Sequence, residues 1–543
     1  MEKDFLKISM YEYLKNNNPN PDRTALRFLY KSISFRRLFR EIDLVAGGLL
    51  SLGLQRGDCI TVALPNVPAA ISVFYAANRL GLKVNLVHPL TPVKQLRTYM
   101  KTCESTVLIG FDKILNKQID ALLQDEITIV AAQAQDAFPW LEKTAYGLVT
   151  FHQRSHLKGK VYYLSRLKKA KVSLPPVAPP SDCAVIMHSG GTTEVPKSIM
   201  LSDFNFNCVA FYTRKVLPTE LTDADGMLAV LPMFHAFGLG VCIHTSLSNG
   251  VKVILIPKYS PKRIAQKMRT EDVSLMAGVP TMYAGILAQK GFRGKKLKKL
   301  KFAFCGGDKL SPKLKHAFDE RLRRYGSECV LDEGYGLTEA TGVFSVNTRK
   351  ASKSGTVGQP LGDYEIEAFD TACGKCLPRG TEGELCICAS TVMTGYWKDA
   401  AATETAKIRH NGKDWLRTGD FGSVDENGFI SFHQRIKRIV KVSGVPVFPS
   451  EVETKLASLP YVQNCCVVGI PDAVKGSVLK AYVVLQVGEN AQLRERDLDA
   501  YAKSRFNKWE YPRKYEFCTS LPLTAFGKPD YRALERQNTG AEK

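Results

Sequence analysis

No run of about 18 consecutive apolar residues interrupts the 543-residue chain, so a membrane-crossing helix is not expected. The opening MEKDFLKISMYEYL mixes both signs of charge and has no continuous apolar segment, which does not read as a secretory signal. These two absences point to the cytoplasm. Zinc-finger spacing and interleaved aromatic–basic sheet motifs are missing too, so no nucleic-acid partner is expected. Internal repeats and long low-complexity segments are likewise absent. The fourteen cysteines are too sparse for a disulfide framework. Cys305, Cys465 and Cys466 lie in apolar runs, where a reduced thiol acts as a small hydrophobe. Cys373 and Cys376 have C-x-x-C spacing, but no second pair or nearby histidine completes a zinc site; a turn around Gly374 is the plainer reading.

Acidic residues are in deficit: 53 against 75 basic ones, a formal charge of +22. Such an excess favours anionic partners, among them nucleotides, coenzyme A and acidic membranes. Residues 158–171 and 290–301 concentrate it. The second run, KGFRGKKLKKLK, suits the phosphates of coenzyme A or peripheral contact with a phospholipid surface; a solvated face is the plainer reading. Hydrophobic residues at 45% and charged residues at 24% are the balance of a globular protein, and the length implies more than one folding unit.

Helical and strand patterns alternate through the first 430 or so residues. Residues 35–54 carry apolar positions at helical spacing; Gly57-Asp58 and a strand pattern over 59–64 follow. A helix over 68–80 and a strand over 83–86 continue the alternation, which predicts layered α/β structure with largely parallel sheets. Pro175, Pro176, Pro179 and Pro180 break the pattern before a buried-strand candidate at 183–187. From about 361 to 395 short strands punctuated by glycine suggest a small β-rich subdomain, and the last hundred or so residues suggest a compact α+β unit.

The most informative stretch is Ser189-Gly190-Gly191-Thr192-Thr193-Glu194-Val195-Pro196-Lys197, which directly follows a strand candidate. Glycines let backbone approach phosphate, hydroxyls donate hydrogen bonds, and a lysine adds a compact positive charge. The Walker spacing is absent, so this is a different phosphate cradle. In order downstream come His235 within Pro232-Met233-Phe234-His235-Ala236-Phe237-Gly238, then Gly306-Gly307-Asp308, then Tyr335-Gly336-Leu337-Thr338-Glu339. Arg417-Thr418-Gly419-Asp420, Arg435-Ile436-Lys437, Lys441, and finally Pro522-Leu523-Thr524-Ala525-Phe526-Gly527-Lys528 complete the series.

In that ordered series the chain resembles the superfamily of acyl-CoA synthetases, adenylation domains and luciferases, its acyl-CoA synthetase branch above all, from about residue 20 to 535. The resemblance implies a large N-terminal α/β domain with a β-rich subdomain (1–434), binding ATP and acid. It implies also a small mobile α+β domain (435–543) carrying a catalytic lysine, Lys528. The implied activity is ATP-dependent activation of a carboxylic acid to an acyl-adenylate, followed by transfer to coenzyme A; a separate carrier protein is the alternative acceptor, and a nucleotide-binding pseudoenzyme the alternative class. Ser189, Gly190, Gly191, Thr192, Thr193 and Lys197 would cradle phosphates, with Thr338 at the α-phosphate. Glu339 would hold Mg2+, which suits one carboxylate plus phosphate oxygens and water. Tyr335 offers a flat face to adenine, with Gly336, Gly307 and Asp308 around it, while Asp420 and Arg435 would hold the ribose. His235 would orient the acid, beside Phe234 and Phe237, which suit a fatty or other apolar acyl group. Lys528 would offset the repulsion between carboxylate and α-phosphate. Lys437 takes the hinge position, and Lys441 and Gly444 would guide the coenzyme A thiol after rotation.

The chain departs from the family at four places. Glu194 stands where glycine is usual, Ser198 replaces another glycine, Gly190 stands for a common serine, and Arg438 replaces an acidic residue beside the hinge. A glutamate adds bulk and the wrong charge beside a triphosphate, unless its side chain turns to solvent. Glu194→Gly is therefore expected to lower the KM for ATP or leave it unchanged, and a clear rise in steady-state assays would refute this.

Overall fold

The computed structural model describes residues 3–124, 126–133, 161–188, 197–217, 221–222, 224–348, 350–472, 475–523 and 529–539. Ser189, Gly190, Gly191, Thr192, Thr193, Glu194 and Lys528 lie outside these described residues. The chain divides into two compact units, the first built from residues 1–190, 195–365 and 388–407, the second mainly from 366–387 and 408–543.

Two sheets dominate the first unit. The nine-stranded one has a parallel centre of Leu331–Leu337, Phe302–Cys305, Leu275–Gly278, Gly226–Ala229, Lys252–Leu255 and Thr24–Phe28, with antiparallel strands at both edges. The eight-stranded one runs parallel from Val185–His188 through Lys83–Leu86, Cys59–Ala63, Ser105–Phe111 and Thr128–Ala132 to Val161–Tyr163. Ser198–Leu201 and Gly395–Tyr396 extend it antiparallel. Phe302–Cys305, Leu275–Gly278 and Gly226–Ala229 read as unbroken apolar runs because central parallel strands are covered on both faces. Cys59–Ala63 is buried at every position.

The helices expected at 35–54 and 68–80 form as Phe35–Leu50 and Pro68–Arg79. The first starts where the Ser34 hydroxyl accepts from the Arg37 amide. It ends four residues early because Gly53 takes a left-handed φ of 84°. The β-rich segment is larger than its glycine pattern implied. Five strands pair, Glu365–Phe369, Gly383–Cys388, Lys407–His410, Lys413–Val424 and Ile430–Arg435, and most of them belong to the second unit. Polar alternation on a half-exposed antiparallel sheet gives a weak apolar signal, which hid the last three.

The rest of the second unit is an antiparallel pair, Val462–Asp472 and Gly476–Leu485, with Lys514–Phe517 alongside. Helices Pro449–Ala457 and Ala491–Arg505 supply Val452, Leu456, Leu498 and Ala502 to one face, and Leu534 helps cover the other. All fourteen cysteines are free thiols. Cys373 lies in a turn whose amide is accepted by Asp370, with Gly374 at a φ of 69°.

One buried polar device fixes the centre of the first unit. His244 is fully buried, and its Nε2 donates to Asn207 Oδ1 at 3.0 Å while its Nδ1 accepts from Tyr75 Oη at 3.0 Å. The tautomer follows from Asn207, whose amide nitrogen donates to the Leu6 and Ile8 carbonyls and leaves its oxygen to accept. Burial lowers the His244 pKa to about 3. An unfolded chain takes up that proton near the ordinary value of about 6.5, so this contribution to stability is intact above it and is lost as pH falls toward 3. Urea titrations are expected to show a falling midpoint between pH 7 and 4. His244→Gln, less stable at pH 7, should give a shallower fall by roughly 1.4 kcal/mol per pH unit; an unchanged slope would assign the proton elsewhere.

Candidate active site

The expected site residues of the first unit gather where parallel strands of the nine-stranded sheet end. Phe302–Cys305 runs into Gly306, Gly307 and Asp308, and Gly307 adopts a φ of 78°, which its residue type permits. The Asp308 carboxylate accepts from the next amide, that of Lys309, at 2.9 Å. One strand over, Leu331–Leu337 carries Tyr335 and Gly336 and leads into the short turn Thr338–Ala340, which holds Thr338 and Glu339. Tyr335 packs edge-on against buried Phe344, with ring centroids 4.5 Å apart. Gly336 has a backbone reason for its identity. A Cβ there would stand 1.7 Å from the Gly342 carbonyl oxygen of the returning strand.

The histidine segment is seated on the same turn. A Cβ on Gly342 would lie 3.3 Å from the Ala236 carbonyl, and one on Gly240 would lie 3.4 Å from the Thr341 carbonyl. Gly240 belongs to a wide-turned helix, Phe237–Thr245, with i→i+5 pairing; such segments recur at functional sites. The Phe237 ring meets Phe304 edge-on at 5.5 Å. His235 is half-buried, with its ring centroid 4.7 Å from that of Phe234, and Phe234 stands 4.8 Å from His88. Burial, and then the neighbouring His88, lowers the His235 pKa to about 4; burial also lowers that of His88. Both imidazoles are therefore neutral at pH 7, and this end of the site is polar but uncharged.

Lys197 comes from the other sheet and is brought to the same region through Tyr396. Its Nζ lies 4.6 Å from the centroid of the Tyr396 ring. The Tyr396 hydroxyl in turn donates to Glu339 Oε1 at 3.3 Å. Tyr396 is positioned by pairing of Gly395–Tyr396 with Ser198–Leu201 and by the Met393 amide, which donates to the Glu339 carbonyl at 2.8 Å. Asn205 holds the approach to this segment by donating to the Ser390 and Val392 carbonyls. The second Glu339 oxygen accepts from no group among the described residues. No group of three or more His, Cys, Asp or Glu side chains among those residues offers an all-protein metal cage. One hard carboxylate, linked through Tyr396 to Lys197, fits Mg2+, which is held by one or two carboxylates plus substrate phosphates.

His188, the last residue of the strand before Ser189, ties together the strands Val185–His188 and Ser198–Leu201. The Ser198 hydroxyl donates to its Nδ1 at 3.2 Å and its Nε2 donates to buried Asn85 at 2.7 Å, with the ring stacked 3.8 Å from Tyr99. Ser198, where the family has glycine, is thus paired within the fold. Burial lowers the His188 pKa to about 4.

In the second unit Asp420 and Arg435 face each other across paired strands, with Arg435 Nε 2.9 Å from Asp420 Oδ1. The carboxylate side chain is 1% exposed and the guanidinium 63%, so the arginine is the part that solvent reaches. The turn before Asp420 is fixed by Glu384, which accepts from Arg417 at 2.6 Å and from the Gly419 amide at 3.1 Å. Lys437 is exposed in the turn Ile436–Arg438. Arg438, the departure beside it, is compensated by an ion pair with Glu453, and its guanidinium lies 4.9 Å over the Tyr531 ring. Lys441 and Gly444 are exposed on a hairpin whose turn residues, Ser443 and Gly444, take φ values of 51° and 80°.

Lys197, His235, Gly307, Asp308, Tyr335, Gly336, Thr338 and Glu339 thus belong to the first unit, and Asp420, Arg435, Lys437, Lys441 and Gly444 to the second. Sequence reasoning missed four residues that hold the site: His88, Tyr396, Glu384 and Glu333. Glu333 is a carboxyl whose pKa burial raises, and it accepts from the Leu310 amide at 2.8 Å to fix the loop after Asp308. Only the Gly395-Tyr396-Trp397 cluster carried any local signal, a glycine beside two aromatics.

The family described as "AMP-binding enzyme" matches residues 14–397, and "AMP-binding enzyme C-terminal domain" matches residues 451–528. A long-chain-fatty-acid–CoA ligase of Bacillus subtilis (strain 168) is 30% identical over 530 residues, covering 96% of this chain and 92% of that one. A probable 4-coumarate–CoA ligase 3 of Dictyostelium discoideum is 29% identical over 527 residues, covering 95% and 92%. In fold the chain is similar to a benzoate CoA ligase from Burkholderia xenovorans LB400, with a TM-score of 0.82 and 22% identity over 97% and 99% of the two chains. ATP-bound MatB from Rhodopseudomonas palustris gives 0.84 and 22% over 97% and 98%. With both family matches in order and a relative similar along nearly its whole length, the chain belongs to the AMP-binding enzyme family, in the acyl-CoA synthetase branch of the adenylate-forming superfamily.

Proposed function

We propose that the protein joins a carboxylic acid with an apolar body, a fatty acid or an aryl acid, to coenzyme A through an acyl-adenylate. The observation that carries this reading is the meeting of Lys197, Tyr396 and Glu339 beside Thr338, with Phe234, Phe237 and two neutral histidines in the same unit. The names of the relatives, ligases of long-chain fatty acids and of 4-coumarate, support coenzyme A as the acceptor and leave both aliphatic and aromatic acids in play. No helix among the described residues is long and apolar enough to cross a membrane, and we assign the enzyme to the cytoplasm.

In the first half-reaction a carboxylate oxygen attacks the α-phosphorus of ATP, and the bond to the β-phosphate oxygen breaks to release pyrophosphate. Lys197 and the hydroxyls and amides of Ser189 to Thr193 hold the phosphates, Thr338 the α-phosphate, and Tyr335 with Gly307, Asp308 and Gly336 the adenine. Asp420 accepts the ribose hydroxyls, and exposed Arg435 turns toward the same sugar. Glu339 would hold Mg2+, which would supply positive charge to offset that of the phosphates. To Lys528 we assign the role of offsetting the repulsion between the two anions and stabilising the charge that develops as they join. His235 and His88, neutral at pH 7, orient the acid without pairing with it as cations. In the second half-reaction the thiol of coenzyme A attacks the acyl carbonyl, its proton leaves to solvent, and AMP departs with the bond's electrons.

Lys437 as the hinge is supported by its surroundings. Arg435 is held by the ladder to Asp420 and Arg438 by Glu453, which sets exposed Lys437 in a turn between two anchored residues, a place suited to a backbone rotation. The exposed hairpin with Lys441 and Gly444 then serves the thiol step.

Carboxylate-dependent ATP–pyrophosphate exchange without coenzyme A is expected with long-chain or aryl acids, and to fall at least about a thousandfold in Lys528→Ala. Binding of ATP with no exchange for any acid would sink the reading in favour of a nucleotide-binding pseudoenzyme, and transfer to a carrier protein but never to coenzyme A would reassign the acceptor. Tyr396→Phe removes the hydroxyl that aims Glu339 while keeping the ring under Lys197. It is expected to raise the Mg2+ concentration needed for half-maximal ATP binding several-fold, read by nucleotide-binding fluorescence, with little change in the KM for the acid. An unchanged Mg2+ requirement would remove Tyr396 from the site.

A further inference from the structure

Residues 258–299 contain eleven basic and only two acidic side chains, a share of the charge far above their share of length. The structure folds this segment into one face of the first unit. The helix Pro261–Thr270 turns Ile264, Ala265 and Met268 into the core and leaves Lys262, Arg263 and Arg269 outside. Along one flank lies the turn before Lys295–Lys299. A Cβ on Gly294 would touch the Arg269 stem at 3.5 Å, and Lys296 donates to the Thr270 carbonyl at 3.0 Å. Leu297 and Leu300 anchor this flank in the same core, so Lys295 and Lys298 project outward. Along the other flank lies the hairpin turn Leu29-Tyr30-Lys31, where Lys267 donates to the Leu29 carbonyl at 2.8 Å.

Both acids on this face are consumed locally. Glu271 pairs with Lys267 and Arg27, and Asp272 with Lys296. Lys262, Arg263, Arg269, Lys295 and Lys298 take part in no ion pair among the described residues. Beside them Tyr30 is 61% exposed, Leu29 40% and Tyr259 47%. Exposed aromatic and aliphatic side chains set among unpaired bases are what an interfacial site on an acidic bilayer requires: the rings and the leucine enter the headgroup layer while the cations meet lipid phosphates. A duplex nucleic acid would leave the apolar members without a role.

We propose that this face, comprising the hairpin turn 29–31, the helix Pro261–Thr270 and the segment 290–299, docks the enzyme on an anionic phospholipid surface. The inference is independent of which acid is activated.

The test is co-sedimentation of the full chain with vesicles of phosphatidylcholine alone or with about 30% phosphatidylglycerol. Binding is expected only to the anionic vesicles and to weaken at least about tenfold on raising salt several-fold, as screening requires. A variant carrying Lys262→Glu, Arg263→Glu, Lys295→Glu and Lys298→Glu is expected to lose at least about tenfold in partition. A variant with the same charge change elsewhere, Lys101→Glu, Lys113→Glu, Lys117→Glu and Lys169→Glu, should bind nearly as the wild type does. Tyr30→Ser should reduce the residue of binding that survives high salt. Equal losses in the two charge variants would overturn the proposal, since net charge and not this face would then be responsible. Absence of binding to anionic vesicles, or retention of duplex DNA but not vesicles by the same face, would overturn it as well. Unchanged pyrophosphate exchange in both charge variants shows that the fold is intact.

Discussion

The candidate site depends on one close backbone contact, between Gly336 and the strand that returns from Thr341. The carbonyl of Gly342 stands where a Cβ of residue 336 would be, and no rotamer change can relieve a clash with backbone. Thr341 pays for the turn with a left-handed φ of 57°, held by its hydroxyl, which donates to the Thr391 carbonyl at 2.6 Å. From that turn Glu339 meets the Tyr396 hydroxyl, while Gly342 and the Thr341 carbonyl receive the backbone of Ala236 and Gly240. A side chain at 336 would push Tyr335, Thr338 and the histidine segment apart together. Two motifs a hundred residues apart in the chain are therefore one mechanical object.

The electrostatics follow a division of labour that burial imposes. Where anions are expected, the first unit supplies Lys197 with its charge spread against an aromatic face. Where an apolar acid would lie, it supplies histidines that burial keeps neutral, His235 at a pKa of about 4. A protonated imidazole beside Phe234 would bind a carboxylate as an ion pair and compete with its attack on phosphorus. A neutral one can only donate or accept a hydrogen bond. His188 and His244 obey the same rule for a structural reason, each with both nitrogens used by buried partners.

How much of this was legible in the sequence differs by residue. The alternation of apolar runs located the central strands and first helices to within a few residues, because parallel strands covered on both faces have no polar side to confuse the pattern. The ordered motifs singled out Tyr335, Thr338, Glu339, Asp420 and their neighbours as candidates, on the strength of the family resemblance. Tyr396 was not legible, since its role exists only where the strand Gly395–Tyr396 pairs with Ser198–Leu201, two hundred residues earlier. Glu384 and Glu333 were hidden for another reason. Each is an unremarkable acid in a strand, and only the fold shows that its acceptor capacity is used by backbone amides of a loop carrying a motif residue.

The net charge was legible as a number but not as a place. In the first unit Lys197 is joined to Glu339 through Tyr396. In the second unit Arg435 and Arg438 are likewise balanced by Asp420 and Glu453. Arg435 and Arg438 thus add little to the uncompensated charge, because each has an acid beside it. Part of the excess is on a face where Lys262, Arg263, Arg269, Lys295 and Lys298 have no acid partner among the described residues, although Glu271 and Asp272 show that acids are tolerated there. Like charges gathered on one face cost stability on their own. Their placement around Leu29, Tyr30 and Tyr259, on a helix that the core already holds, argues for a partner outside the chain that supplies the missing negative charge.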